Sequence, residues 1–144
     1  MYIKEILEYQ YNYAEFIVSD GIYDIVCMDL SVPLPNGIEP AVGMEIASVL
    51  AFSFDCADVF AKKIARIPSM ETFINKDSSE HFRYTIQGRI ANVKKAIVTV
   101  GNISICLLNV FPHGFEKLYN IGETIRFVAD RLDCIIKYDG VTIL

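Results

Sequence analysis

Ala96-Ile97-Val98-Thr99-Val100-Gly101-Asn102-Ile103-Ser104-Ile105-Cys106-Leu107-Leu108-Asn109-Val110 (residues 96–110) reads as two strands, Ala96–Val100 and Ile103–Val110, folded back on each other through Gly101-Asn102. A Gly-Asn pair suits a type II′ turn, because glycine adopts the positive φ that so tight a reversal requires. The same logic applies to Asp20-Gly21, which suits a type I′ turn between strands over Tyr13–Ser19 and Ile22–Leu30. A third hairpin is expected at the C-terminal end, with Cys134–Tyr138 and Val141–Leu144 joined by Asp139-Gly140.

Outward from these turns, two stretches share an ordered series of residues, the mark of an internal repeat. In the first, Asp20-Gly21 leads to Ile25-Val26-Cys27, Pro35-Asn36-Gly37-Ile38-Glu39, Gly43-Met44-Glu45-Ile46 and Asp55-Cys56. In the second, Gly101-Asn102 leads to Ile103-Ser104-Ile105-Cys106, Pro112-His113-Gly114-Phe115-Glu116, Gly122-Glu123-Thr124-Ile125 and Asp133-Cys134. The four cysteines therefore pair off, Cys27 with Cys106 and Cys56 with Cys134. Cysteine to proline is eight residues in one copy and six in the other, an even difference that keeps a strand side chain on the same face. Ile to Asp is nine against eight, which requires a bulge in one copy.

The pattern predicts a mainly β fold of two small antiparallel units related by a pseudo-twofold axis, either OB-like or SH3-like barrels or one shared barrel. The repeats run over about 1–67 and 80–144 within a single compact domain covering 1–144, with the polar run Asn75–Glu80 as linker. Each proline-glycine loop precedes a long strand, Met44–Phe54 in one copy and Glu123–Leu132 in the other, the latter broken near Ala129-Asp130. One or two short helices at most are expected. The best is Ala57–Arg66, where Phe60, Ile64 and Ile67 fall at helical spacing, Asp55 or Asp58 could cap the start, and Pro68 lies past the end.

Composition bounds the function. The 144 residues are 53% hydrophobic and 12% aromatic, enough apolar surface to exclude a disordered chain. The longest nearly apolar run, Ile46–Phe54, is closed by Glu45 and Asp55, far short of the ~20 residues of a membrane helix. The opening Met1-Tyr2-Ile3-Lys4-Glu5-Ile6 has no basic segment followed by an apolar core, so a cytoplasmic protein is expected. Up to Thr72 the chain has four basic and eleven acidic residues, −7; beyond it, nine and seven, +2. The acidic half argues against a nucleic-acid surface and fits either a solvated face or a basic partner. The cysteines, none in Cys-x-x-Cys spacing, read as buried thiols, and His81 and His113 have no close ligand pair, so neither metal nor cofactor is expected.

Signatures of catalysis are missing: there is no Gly-x-Ser-x-Gly, no phosphate-binding Gly-x-x-x-x-Gly-Lys-[Ser/Thr] and no His-Glu-x-x-His. The one local candidate is the loop that places His113 three residues from Glu116, the basis of an alternative reading as a small enzyme. Asn36 stands in place of His113 in the first copy, so the shared Pro, Gly and Glu describe loop geometry as readily as chemistry.

The stretch Phe82-Arg83-Tyr84-Thr85-Ile86-Gln87-Gly88-Arg89-Ile90 resembles the first strand of an oligonucleotide-binding (OB) barrel. The resemblance implies single-stranded nucleic-acid binding through Arg83, Arg89, Lys94 and Lys95. Period two opposes it: Phe82, Tyr84, Ile86 and Ile90 share one face and the arginines the other, whereas single-strand binding wants aromatics beside cations. Tyr9, Tyr11 and Tyr13 alternate and would project from one face of an extended segment. The reading favoured by these observations is a non-catalytic macromolecule-binding protein: an acidic inhibitor comparable in charge and size to immunity proteins and antitoxins, or a self-associating module. Its expected contacts are Asn36, Glu39, His113 and Glu116, in the paired loops, with a protein partner or a second copy; membrane association is not expected.

Overall fold

Runs rich in Ile, Val, Tyr and Phe fit the pleated surface of a sheet, while Gly and Pro interrupt its ladders, and the chain is mainly β for that reason. The computed structural model describes residues 1–138 and 141–142. The strands are β1 Tyr2–Gln10, β2 Tyr13–Ser19, β3 Asp24–Asp29, β4 Ile46–Phe52, β5 Ala65–Ile67, β6 Phe73–Lys76, β7 Tyr84–Asn92, β8 Ile97–Val100, β9 Ile103–Cys106, β10 Thr124–Ala129, β11 Arg131–Tyr138 and β12 Val141–Thr142. A single 3₁₀ turn, Pro35–Gly37, and two short helices, α1 Ala57–Lys63 and α2 Phe115–Leu118, complete the described elements.

The expected barrel does not close. The strands form one open mixed sheet in the order β1-β2-β3-β11-β4-β9-β8-β7-β10-β5, with β12 on β11 and β6 on β7. Two parallel pairs, β3 with β11 and β4 with β9, flank the antiparallel pair β11–β4, so the units are not purely antiparallel. The ends of the path do not pair with each other: at one lies β5, three residues long, and at the other β1, with register shifts between Ile3 and Glu5 and between Ile6 and Glu8. The inner face is packed by Phe16, Ile25, Ile105, Ile125, Leu132 and Ile136, all buried.

Both central hairpins form. Gly101 takes φ +58° and Asn102 does not join it in the left-handed region, as a type II′ turn requires. The first connection is longer than Asp20-Gly21 alone, spanning residues 20–23 between the paired Ser19 and Asp24. Asp20 holds it: one carboxylate oxygen accepts the N–H groups of Ile22 and Tyr23 at 2.9 and 2.8 Å, and the other accepts that of Asn102 at 3.0 Å. The two hairpin tips thus meet through one side chain.

Two further backbone pairings match between the halves. Ile3 donates to Met44 and accepts from Gly43, at 2.9 and 2.8 Å, and Ile90 donates to Glu123 and accepts from Gly122, at the same two distances. The cysteine correspondence does not hold. Cys27 lies on the inner face with Ile25 and is fully buried, whereas Cys106 lies beside Ser104 on the other face, half-buried, and Cys56 is exposed. Ile105, next to Cys106, is the inward-facing residue there: it sits opposite Val49, as Cys27 sits opposite Leu132.

Other expectations need adjustment. The long second strand breaks at Asp130, as its pattern indicated, and resumes as β11. Asn75 and Lys76 belong to β6 and not to a linker. The helix stops at Lys63, and its N-cap is Cys56, with no side-chain cap from Asp55 or Asp58. Tyr9 and Tyr13 face opposite sides, since they occupy successive rungs, Tyr9↔Ala14 and Gln10↔Tyr13. β11 and β12 pair as the third hairpin requires, with Asp139-Gly140 outside the described residues.

Candidate functional site

β5 pairs with β10 only over Thr124–Arg126, which face Ile67, Arg66 and Ala65. Continued in the same register, the chain before β5 would set Ile64, Lys63 and Lys62 against Phe127, Val128 and Ala129. Those residues instead end α1, so among the described residues no strand pairs with that edge of β10. A cleft of about 620 Å³ opens there. Phe60, from α1, and Phe127 form its apolar floor, with ring centroids 6.1 Å apart. Phe54 and Val128 stand on the rim, 80% and 47% exposed, and Phe54 meets Phe52 edge to face at 5.1 Å.

Charge surrounds the floor. Lys63 binds Asp55 at 2.9 Å, which holds its ammonium above the usual lysine range, and Arg83 binds Asp130 at 3.2 Å. Asp130 sits at the β10–β11 break and accepts the N–H of Phe54 at 2.8 Å, fixing the rim to the sheet. Arg126 differs. It forms no ion pair among the described residues; its guanidinium donates twice to Gln87 Oε1, at 3.0 and 2.8 Å, and lies 5.8 Å from the Phe73 ring. The cleft is therefore an apolar trough whose acids are engaged by Lys63 and Arg83, with one cation left over. Such a trough can hold an apolar segment and a carboxylate.

On the other side of α1, a second cleft of about 410 Å³ lies between Ala57, Asp58 and Ala61 of the helix and Phe111, His113, Lys117 and Leu118. Here the sequence-derived residues divide. His113 lines this cleft together with Asp58 and Lys117, while Glu116 is exposed and does not. Asn36, at φ +58°, and Glu39 are exposed on the other loop and line neither cleft.

The cations grouped by the OB resemblance are not brought together either. Arg83 is held by Asp130 and, at 3.6 Å, by Asp77; Arg89 is half-buried in mid-strand; Lys94 and Lys95 are exposed beyond the far end of β7. Tyr84, Ile86 and Ile90 are buried, as period two required. Arg126, Lys63 and Phe54 went unread as site residues. Arg126 alternates with apolar neighbours in the β10 pattern, but only the register shows that its strand has a free edge.

Two further aspartates, Asp29 and Asp133, are buried on opposite faces of the sheet, since Asp29 lies opposite Cys134 and Asp133 opposite Met28. Asp133 is bound twice by Arg131, whereas Asp29 accepts from the Ser31 N–H and hydroxyl on one oxygen and leaves the other without a partner. Burial pushes the Asp29 carboxyl above its ordinary value, against the two Ser31 hydrogen bonds. No group of three or more His, Cys, Asp or Glu side chains among the described residues has metal-binding geometry, and no described helix is long and apolar enough to cross a membrane. The chain matches no protein family, no curated protein and no solved structure.

Proposed function

We propose that this protein is a non-catalytic binding module that docks a protein partner on the face carrying the Phe54–Val128 cleft. The observation that carries the reading is Phe54, 80% exposed on the rim of a concave, aromatic-floored site. Large exposed apolar side chains around a cleft favour an interaction surface, because leaving them in water forgoes the burial free energy that a partner would supply. The cleft's acids support binding over chemistry, since Asp55 and Asp130 are each engaged by a cation. An acidic inhibitor and a self-associating module are both forms of this reading.

A duplicated origin fits the same molecule. The matched pairings of Ile3 with Gly43–Met44 and of Ile90 with Gly122–Glu123 support it, as do the two parallel pairs on either side of β11–β4. On that reading the axis passes beside Leu50 and Asp133, which face each other across the central pair.

The test is capture from a lysate of the source cells by immobilised protein, with variants Phe54→Asp and Met70→Asp, the latter 71% exposed and away from the cleft. A partner captured in near-stoichiometric amount, released by Phe54→Asp and kept by Met70→Asp, is the expected result. Equal behaviour of the two variants, or no capture by the wild-type protein, overturns the proposal. If the captured protein is the chain itself, the reading narrows to self-association.

A further inference from the structure

The free edge of β10 says what kind of segment the cleft would take, an inference that rests on the docking reading above. We propose that the partner contributes an extended segment with alternating apolar and acidic residues, which pairs with Phe127–Ala129 as an added strand in line with β5.

The chain itself already uses this edge. Ala65–Ile67 pairs antiparallel with Thr124–Arg126, and the pairing stops only because α1 carries the preceding residues away. Val128, 47% exposed, is the residue at which an added strand reaches this edge, with Phe127 and Ala129 buried on either side of it, and strand addition satisfies such an edge's backbone groups. A helix laid in the cleft would leave them unpaired, because its own backbone groups bond internally.

Side-chain alternation then sets the pattern. On an added strand, successive residues point to opposite faces. Those on the inner side meet Phe60 and Phe127, which calls for apolar residues. Those on the outer side meet Val128 and Arg126, strand neighbours two residues apart on one face. Arg126 has no carboxylate partner among the described residues, and Asp55 and Asp130 are taken by Lys63 and Arg83, so the charge the outer positions call for is negative. A basic segment would place its cation beside Arg126 with nothing to offset the repulsion.

The experiment titrates isotope-labelled full-length protein with a synthetic alternating Val-Asp peptide, with its Val-Lys counterpart, and with a Val-Asp peptide N-methylated at every second amide. The expected result is saturable shifts of the Phe127–Ala129 amides with Val-Asp alone, and affinity reduced about tenfold or more by Arg126→Glu. Arg126 is exposed, so the variant should fold, and Arg126→Gln, with an intermediate loss, separates charge from shape. Equal binding of the Val-Lys or the N-methylated peptide, or no shift with Val-Asp, overturns strand addition. The two proposals fail separately. Release of the captured partner by Phe54→Asp without peptide pairing leaves docking standing and removes the strand, whereas peptide pairing with no effect of Phe54→Asp does the reverse.

Discussion

Gly88 is the point where β7 changes partner on one side, from β6, which ends opposite Gln87, to β8, which begins opposite Arg89. Its backbone is not left-handed, so what glycine supplies here is space. A Cβ at this position would lie 2.4 Å from Val98 Cγ1, 2.9 Å from the Thr99 carbonyl oxygen and 3.2 Å from Val100 Cγ2. Val98 and Val100 are fully buried and β-branched, with little rotameric freedom to withdraw. The Thr99 oxygen is backbone, so relief of that contact to an ordinary 3.4 Å means moving β8 by about 0.5 Å. Overpacking of this kind costs about 1–3 kcal/mol, and the need for a backbone shift puts Gly88→Ala near the top of that range. The reduced freedom of the unfolded chain returns about 0.4–1 kcal/mol, leaving a net loss of about 2 kcal/mol. With a urea dependence of ~1–3 kcal/mol per molar, the unfolding midpoint should fall by about 1 M, and Tm by roughly 5–8 °C. Val98→Ala in the Gly88→Ala background removes the closest contact, so the two losses should couple by about 1 kcal/mol. A Gly88→Ala midpoint equal to wild type, or strictly additive losses, would show that β7 and β8 do not approach as described.

Two other predictions test the buried groups. The carboxyl of Asp29 is pushed up by burial, so its folded value exceeds the unfolded one and the native state loses stability as pH rises from about 4 through the folded value. Asp29→Asn should therefore be more stable than wild type by about 1 kcal/mol near pH 7, with the advantage shrinking toward about pH 4; urea melts showing a pH-independent difference would contradict the assignment. Among the thiols, exposed Cys56 should react with iodoacetamide first and half-buried Cys106 more slowly, while Cys27 and Cys134 should react only on unfolding. The hydrogen bond with Cys27 and burial both push the Cys134 thiol well up, so rapid alkylation of Cys134 in intact protein, read by mass spectrometry, would refute its placement.

What could be read from the sequence was what depends on neighbours along the chain. Gly101-Asn102 fixed a hairpin because two residues suffice to reverse a strand, and the break at Ala129-Asp130 showed in the alternation of β10 itself. The series Tyr84, Ile86, Ile90 identified an inward face, and the gap it leaves at Gly88 is where β8 comes closest. Facing was harder. The two hairpins enter the sheet with opposite faces inward: after the Asp20 turn Asp24 points out and Cys27 in, whereas after Gly101-Asn102 Ile103 points in and Cys106 out. The cysteines were matched by identity, which carries no information about facing: Ile105, not Cys106, shares the buried inner face with Cys27.

The cleft was hidden for a different reason, since it depends on where strands stop. Nothing in Ala57–Lys63 states that its continuation would have covered β10, and nothing in Thr124–Ala129 states that its edge is left open; both follow from a register across more than fifty residues of chain. Asp130 connects the two effects. By interrupting the strand it separates β10 from β11, and by accepting the Phe54 N–H while holding Arg83 it ties the cleft's exposed aromatic rim to that same interruption. The residue that ends the alternation legible in the sequence also builds one wall of the site that the sequence concealed.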